Sequence, residues 1–190
     1  MSEDYKLCEF RVAVDTREQA PWAFTGFRTD AAQGRKPLII QTVTTTLASG
    51  DYSIEGLESE VSIERKSVAD FYGTILADRE RFERELTRLQ AMCAAGGHAQ
   101  VVCEGDYLDL AQLPNPHGRY TDAELSVKRK VAFRSVIAWR QRFPLVHWER
   151  MPSRREAEQY AFRVLERFWN ERVKREKQQK QRERAEGAGQ

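Results

Sequence analysis

The chain has 190 residues, 41% hydrophobic and 32% charged, with a formal net charge of +2, which indicates a globular protein of one domain. The longest apolar run is well short of the roughly 18 residues that a membrane span needs, so we expect no membrane helix. The polar start MSEDYKL does not resemble a secretory leader, and we expect a cytoplasmic protein, or a nuclear one in a eukaryote. Three scattered cysteines indicate reduced thiols rather than a zinc site.

Four strands are predicted in the first third of the chain, because apolar and polar residues alternate there or β-branched residues predominate. They cover residues 8–15, 38–47, 52–55 and 61–66. Between the first two strands, residues 18–34 contain Pro21 and two glycines, which predicts a loop. The aromatic residues of this loop either pack onto the domain, which we favour, or stack on unpaired bases; they are Trp22, Phe24 and Phe27.

Helices and strands alternate in the rest of the chain. Ser67 is a predicted N-cap for a helix beginning near Val68, and a longer helix follows to about Ala94. The remaining predicted elements are a strand at 99–104, a loop at 111–120, a helix at 121–142, a strand at 144–148 and a helix after 153. This order predicts an α/β domain with a mixed sheet and helices on its faces. The apolar stripe stops near Val173, so we place the domain at 8–172 and a charged, disordered tail at 173–190.

Charged residues cluster at the end of the fourth strand. Glu64 and Lys66 point to the same side of this strand, whereas Arg65 points to the other. Adjacent charges are costly to bury unless something compensates them. A divalent cation such as Mg²⁺ would do so, because it takes oxygen ligands, and Asp51, Glu64 and Asp15 offer carboxylates. Spacing alone favours the alternative, a surface ion-pair network.

Three blocks of sequence favour the metal site over the surface ion-pair network. They are VDTRE at residues 14–18, GD at 50–51 and ERKSVAD at 64–70. In this order they resemble the V-D-x-R-E and G-D-x(n)-E-R-K-x-x-x-D motifs of the XPF family of structure-specific endonucleases. The segment AQVVCEG at 99–105 is similar to the next core strand of that family.

The resemblance implies a restriction-endonuclease-like fold, in which helices flank a mixed central sheet within a single domain. It also implies a Mg²⁺-dependent DNA endonuclease, in which Mn²⁺ would substitute for Mg²⁺. Such an enzyme would hydrolyse phosphodiester bonds in branched, flapped or junction DNA during repair or recombination. The alternative is an inactive DNA-binding or scaffolding module of the same fold, which the retained motif residues disfavour.

The resemblance also implies a role for each motif residue. Asp51 and Glu64 would hold the metal, and Asp15 would complete the acidic centre. Lys66 would assist the nucleophile and the transition state, and Asp70 would orient Arg65 or another motif residue. The candidate catalytic residues are Asp15, Asp51, Glu64, Arg65 and Lys66, and the supporting residues are Arg17, Glu18 and Asp70.

DNA is the expected partner, and pairing of two copies into a homodimer is implied because nuclease domains of this family often pair. A basic helix of the second half either contacts phosphates outside the active centre, which we favour, or is simply exposed to solvent. The candidate residues on it are Lys128, Arg129, Lys130 and Arg134. The basic tail would add salt-sensitive affinity that does not depend on sequence.

Overall fold

The computed structural model describes residues 5–105, 115, 118 and 120–187. Its strands are β1 (Lys6–Asp15), β2 (Phe27–Arg28), β3 (Pro37–Thr45), β4 (Tyr52–Ile54), β5 (Val61–Ser67), β6 (His98–Glu104) and β7 (His147–Met151). They form one mixed sheet in the order β2-β3-β1-β4-β5-β6-β7. Within the described residues its helices are α1 (Val68–Leu76), α2 (Arg79–Ala94), α3 (Asp122–Arg142) and α4 (Arg154–Gly187).

Strand direction decides which residues meet. β1 is parallel to β3 and antiparallel to β4, β4 is antiparallel to β5, and β5, β6 and β7 are parallel. The carboxyl ends of β1, β5 and β6 therefore lie at the same edge of the sheet as the start of β4. Asp15, Asp51, the charged end of β5 and Glu104 all lie at this edge, although they are far apart in the sequence.

The sheet separates two hydrophobic cores. On one face, α1, α2 and α3 pack against alternate residues of β6 around the fully buried Leu86 and Leu89. On the other face, α4 packs against β1, β4 and β5 around Phe162 and Leu165. Because side chains alternate along a strand, neighbours on β5 and β6 face different cores.

The predicted elements agree with the structure except at a few boundaries. Ser67 caps α1, and Thr121 forms a capping box with Glu124 at the start of α3. The last strand begins at His147 rather than at 144, where proline has no amide hydrogen for the sheet. The predicted loop at 18–34 also contains β2 and a 3-10 turn, whereas most of the predicted loop at 111–120 lies outside the described residues.

Helix α4 continues to Gly187, through the segment for which we expected disorder. Residues 174–186 are exposed, and the helix gains local support there from good helix formers and pairs such as Arg172–Glu176. The domain boundary at 172 stays a prediction. Among the described helices, none is long and apolar enough to cross a membrane.

Candidate active site

Asp51, Glu64 and Lys66 are brought together at the edge of the sheet. The backbone N–H of Asp51 donates to the carbonyl of Ile63 at 2.8 Å, which places Asp51 beside the end of β5. One carboxylate oxygen of Asp51, Oδ2, accepts the backbone N–H of Arg65 at 2.7 Å. The ammonium of Lys66 lies 2.7 Å from Glu64 Oε1, and both side chains are almost buried.

The electrostatics of this group are dominated by burial and by like charge. Burial, and after it the charge of Glu64, raises the pKa of Asp51 well above its ordinary range. Burial also raises the pKa of Glu64, although Lys66 opposes this effect. Burial, the largest effect, lowers the pKa of Lys66, but the charge and hydrogen bond of Glu64 together with the charge of Asp51 outweigh it, and the net direction is upward. The ionised forms of both carboxyl groups are therefore disfavoured by burial, and that of Asp51 also by the charge of Glu64.

Helix α2 anchors the turn that carries Asp51. Glu85 accepts the backbone N–H of Gly50 at 2.8 Å, and Arg88 donates from Nε to the Ser49 hydroxyl at 3.2 Å. Gly50 has φ of +73°, and a Cβ there would lie 2.1 Å from the Ser62 hydroxyl. Glu85 was not predicted as a site residue, because it lies outside the motifs in a helix with many charged residues.

Asp15 lies at the same edge, but its carboxylate is already bonded. Oδ1 accepts the backbone N–H and Nε of Arg17, at 2.8 and 2.7 Å. Oδ2 accepts a guanidinium N–H of Arg17 and the backbone N–H of Leu47, at 2.9 and 2.7 Å. Burial, the largest effect, raises the pKa of Asp15, but these hydrogen bonds outweigh it and the net direction is downward. The geometry assigns Asp15 to holding the Arg17 and Leu47 segments in place.

Arg65 points to the opposite face of the sheet from Glu64 and Lys66, as the alternation predicts. Its guanidinium forms a two-pronged pair with Glu104, at 2.6 and 2.8 Å. A third N–H reaches Glu18 Oε1 at 3.2 Å. Sequence analysis missed Glu104, although it ends a strand that is parallel to β5 and adjacent to it.

Asp70 is not among the hydrogen-bond partners of Arg65, but its charge acts on Lys66, another residue of the motif, and raises the pKa of that ammonium group. Asp70 is exposed on the first turn of α1, where the Ser67 hydroxyl donates to its Oδ2 at 2.6 Å. Its backbone N–H donates to the same hydroxyl at 3.1 Å. The spacing of the motif thus reflects a capped helix start directly after β5.

The aromatic residues of the first loop belong to the core. Trp22, Phe24 and Phe27 are buried, and Trp22 stacks on Tyr52 with ring centroids 4.5 Å apart. The favoured packing interpretation is confirmed, and the base-stacking alternative is wrong because these rings have almost no accessible surface.

The basic residues predicted to contact DNA lie along α3 and differ in their surroundings. Lys130 and Arg134 are exposed. The Lys128 ammonium lies 4.4 Å from the centroid of the Tyr120 ring. The Nε of Arg129 is buried and, among the described residues, has no hydrogen-bond partner. Lys130 and Arg134 are therefore the members of this set most accessible to a phosphate backbone.

The donor set fits a hard cation held by two carboxylates. Across the described positions, no group of three or more histidine, cysteine, aspartate or glutamate side chains is arranged to hold a metal ion. Mg²⁺ does not need such a group, because it keeps several waters and is usually bound through one or two carboxylates together with substrate phosphates. Asp51 and Glu64 offer such a pair, and their mutual repulsion would be relieved by a cation.

This fold, with acidic residues and a lysine at one edge of a mixed sheet, defines a nuclease-type domain. The model of the ERCC4 domain family matches residues 14–159, well over half of the chain. The fold is similar to that of XPF from Aeropyrum pernix, with a TM-score of 0.51 and 17% identity over 88% of this chain and 69% of that one. No curated protein matches the sequence. The chain belongs to the ERCC4 domain family and carries an XPF-type nuclease domain.

Gly50 provides a test of the close approach at the Asp51 turn. Gly50→Ala should destabilise the fold by about 1–3 kcal/mol more than Gly56→Ala, because only the first Cβ meets an obstacle. Both glycines have positive φ, +73° and +80°, so the backbone strain is matched. Urea unfolding measures the free energy of unfolding of the two variants, and equal losses in both would contradict the close packing at Gly50.

Asp15 gives a pH-dependent test of its structural role. A lowered folded-state pKa means that the ionised carboxylate stabilises the fold above about pH 3.9 and loses this effect as pH falls further. Asp15→Asn should therefore cost about 1–3 kcal/mol at pH 7 and progressively less below pH 4. Unfolding curves between pH 7 and 2.5 measure it. If the free energy of unfolding lost in Asp15→Asn is the same across this pH range, the charge of Asp15 is not involved.

Proposed function

We propose that this protein is a metal-dependent DNA endonuclease that hydrolyses phosphodiester bonds. The observation that carries the proposal is the pair of mutually repelling carboxylates, Asp51 and Glu64, beside the ammonium of Lys66 at the sheet edge. Membership of the ERCC4 domain family supports nuclease chemistry for this group of residues. Mg²⁺ is the proposed cofactor, and Mn²⁺ is expected to replace it.

Each residue of the group has a distinct role in the proposed reaction. Asp51 and Glu64 supply the metal ligands, and the backbone N–H of Arg65 holds Asp51 in place. The bound metal would polarise a phosphoryl oxygen and lower the pKa of the attacking water. Lys66, held against Glu64, presents a positive charge to the negative charge that develops on the phosphate. Asp15 supports the site through Arg17 and Leu47 and is not a metal ligand in this proposal.

DNA in branched, flapped or forked form is the proposed substrate, and a second copy of the chain is a proposed partner. Both rest on the family resemblance. The exposed face of α3 that carries Lys130 and Arg134 is the proposed contact for a phosphate backbone outside the active centre. A catalytically inactive DNA-binding module is the alternative function.

Cleavage assays test the proposal. The protein is incubated with flapped, forked, four-way and plain duplex DNA in Mg²⁺, Mn²⁺ or a chelator. We expect cleavage that depends on the metal and falls at least about 100-fold in Asp51→Asn and in Lys66→Met, because each removes charge from the reacting centre. Asp30→Asn, an exposed acid next to β2, is the matched control and should cleave like wild type. Equal products from wild type and Asp51→Asn would contradict the proposal. DNA binding without cleavage would favour the inactive module.

The salt dependence of DNA binding tests the role of α3. In an Asp51→Asn background, Lys130→Gln together with Arg134→Gln should reduce the slope of log K against log salt by about 2, since each lost phosphate contact removes about 0.9. Fluorescence anisotropy with a forked DNA measures the slope. The control pair, Arg35→Gln with Lys36→Gln, removes the same exposed charge near β2 and should leave the slope unchanged. Identical slopes for both pairs would assign DNA binding to another surface.

A further inference from the structure

Glu104 joins four hydrogen-bond donors from three separate parts of the chain. Its Oε1 accepts Nε of Arg65 at 2.6 Å, the indole N–H of Trp22 at 2.7 Å and a guanidinium N–H of Arg154 at 2.9 Å. Its Oε2 accepts a second N–H of Arg65 at 2.8 Å. The side chain is only 8% exposed, so water competes little with these partners. Glu104 therefore connects β5, β6, the first loop and the start of α4.

Arg154 and Glu18 make further contacts between the first loop and this group of residues. Arg154 also donates to the carbonyls of Ala20 and Pro21, at 2.7 and 2.9 Å. Glu18 on the same loop accepts the backbone N–H of Ala20 at 2.7 Å and a guanidinium N–H of Arg65 at 3.2 Å. The loop that carries the end of the first motif is thus tied to the signature arginine through two glutamates.

Arg65 is buried on the α4 side of the sheet and is held there by these carboxylates. Its side chain is 8% exposed, so it has little surface to offer to DNA. Its backbone N–H, however, donates to Asp51 at 2.7 Å, and its neighbours in the strand are Glu64 and Lys66. The Arg65 side chain is therefore anchored on a residue whose backbone N–H and strand neighbours belong to the site proposed to bind metal and phosphate.

We propose that Glu104 is a positioning residue of the nuclease centre, which acts through Arg65. It holds the guanidinium on the far face of the sheet. As a result, the Arg65 N–H stays directed at Asp51, and the side chains of Glu64 and Lys66 stay on the opposite face. Arg65 itself then acts as a positioning residue and not as a group that touches DNA. This inference rests on the proposed function, because it assigns a role within that same site.

A double-mutant cycle tests the inference. Glu104→Gln and Arg65→Met should each lower kcat about 10–100-fold, the range typical of residues that orient metal ligands, and weaken Mn²⁺ binding in a direct titration by a similar factor. The affinity for DNA should change less than about threefold, since neither side chain is placed to contact it. The double variant should resemble Arg65→Met, because residues that act as one unit do not give multiplicative losses.

Glu55→Gln is the matched control. Arg11 and Glu55 form the same two-pronged pair, at 2.5 and 2.6 Å, on an exposed part of the sheet outside the site. This variant should leave kcat and Mn²⁺ affinity unchanged. The Arg65 Nε–H resonance, identified by its loss in Arg65→Met, should also be lost or strongly shifted in Glu104→Gln and unaffected in Glu55→Gln.

The outcomes separate the two proposals. Normal kcat and normal Mn²⁺ affinity in folded Glu104→Gln, or losses that multiply in the double variant, would overturn the role of Glu104 and leave the endonuclease proposal standing. Wild-type protein that neither cleaves DNA nor binds Mn²⁺ would overturn both. If Glu104→Gln does not fold, Glu104→Asp serves instead, because it keeps the charge but shortens the reach. An intermediate loss of kcat is then expected, and unchanged kcat would overturn the role.

Discussion

The carboxylates of Asp51 and Glu64 repel each other at the edge of the sheet, and burial makes this repulsion stronger because little water screens it. Lys66 compensates part of the charge through its contact with Glu64. An arrangement of this kind is unfavourable for the isolated fold and favourable for a ligand that brings positive charge. It is the physical reason for placing a hard cation here, and the remaining structure serves to keep the two carboxylates in this position.

Four features hold Asp51 and the end of β5 in place. The backbone of β5 fixes Asp51 through the N–H of Arg65, and α2 fixes the preceding turn through Glu85. The close packing of Gly50 against Ser62 leaves no room for a side chain in that turn. On the far face of the sheet, Arg65 is itself held by Glu104. The charged strand end is therefore supported from both faces of the sheet, as expected where the carboxylates of Asp51 and Glu64 repel each other.

Much of this could be predicted from the sequence, because the relevant information is local. Alternation along β5 correctly separated Arg65 from Glu64 and Lys66, and the capping residues Ser67 and Thr121 correctly marked helix starts. The motif blocks identified the family. The resemblance suggested that Asp70 orients Arg65 or another motif residue, whereas in the structure its carboxylate accepts a hydrogen bond from the Ser67 hydroxyl.

The partners that position the site could not be predicted in the same way, because they depend on strand order. Glu104 is 39 residues from Arg65 and meets it only because β5 and β6 are parallel neighbours that end at one edge. One of the four bonds to Asp15, from the backbone N–H of Leu47, depends likewise on β3 lying beside β1. The other three come from Arg17, which is only two residues away in the sequence. Its place at a strand end and the family resemblance made Asp15 a candidate metal ligand, and the structure adds that both of its oxygens accept hydrogen bonds.

The proposed reaction requires a cation held between Asp51 and Glu64. Anomalous diffraction from crystals grown with Mn²⁺ tests it most directly. We expect a manganese peak within about 2.0–2.3 Å of one oxygen from each of the two carboxylates, with waters completing the coordination. A well-ordered site that stays empty at saturating Mn²⁺, or a peak bound elsewhere, would contradict it.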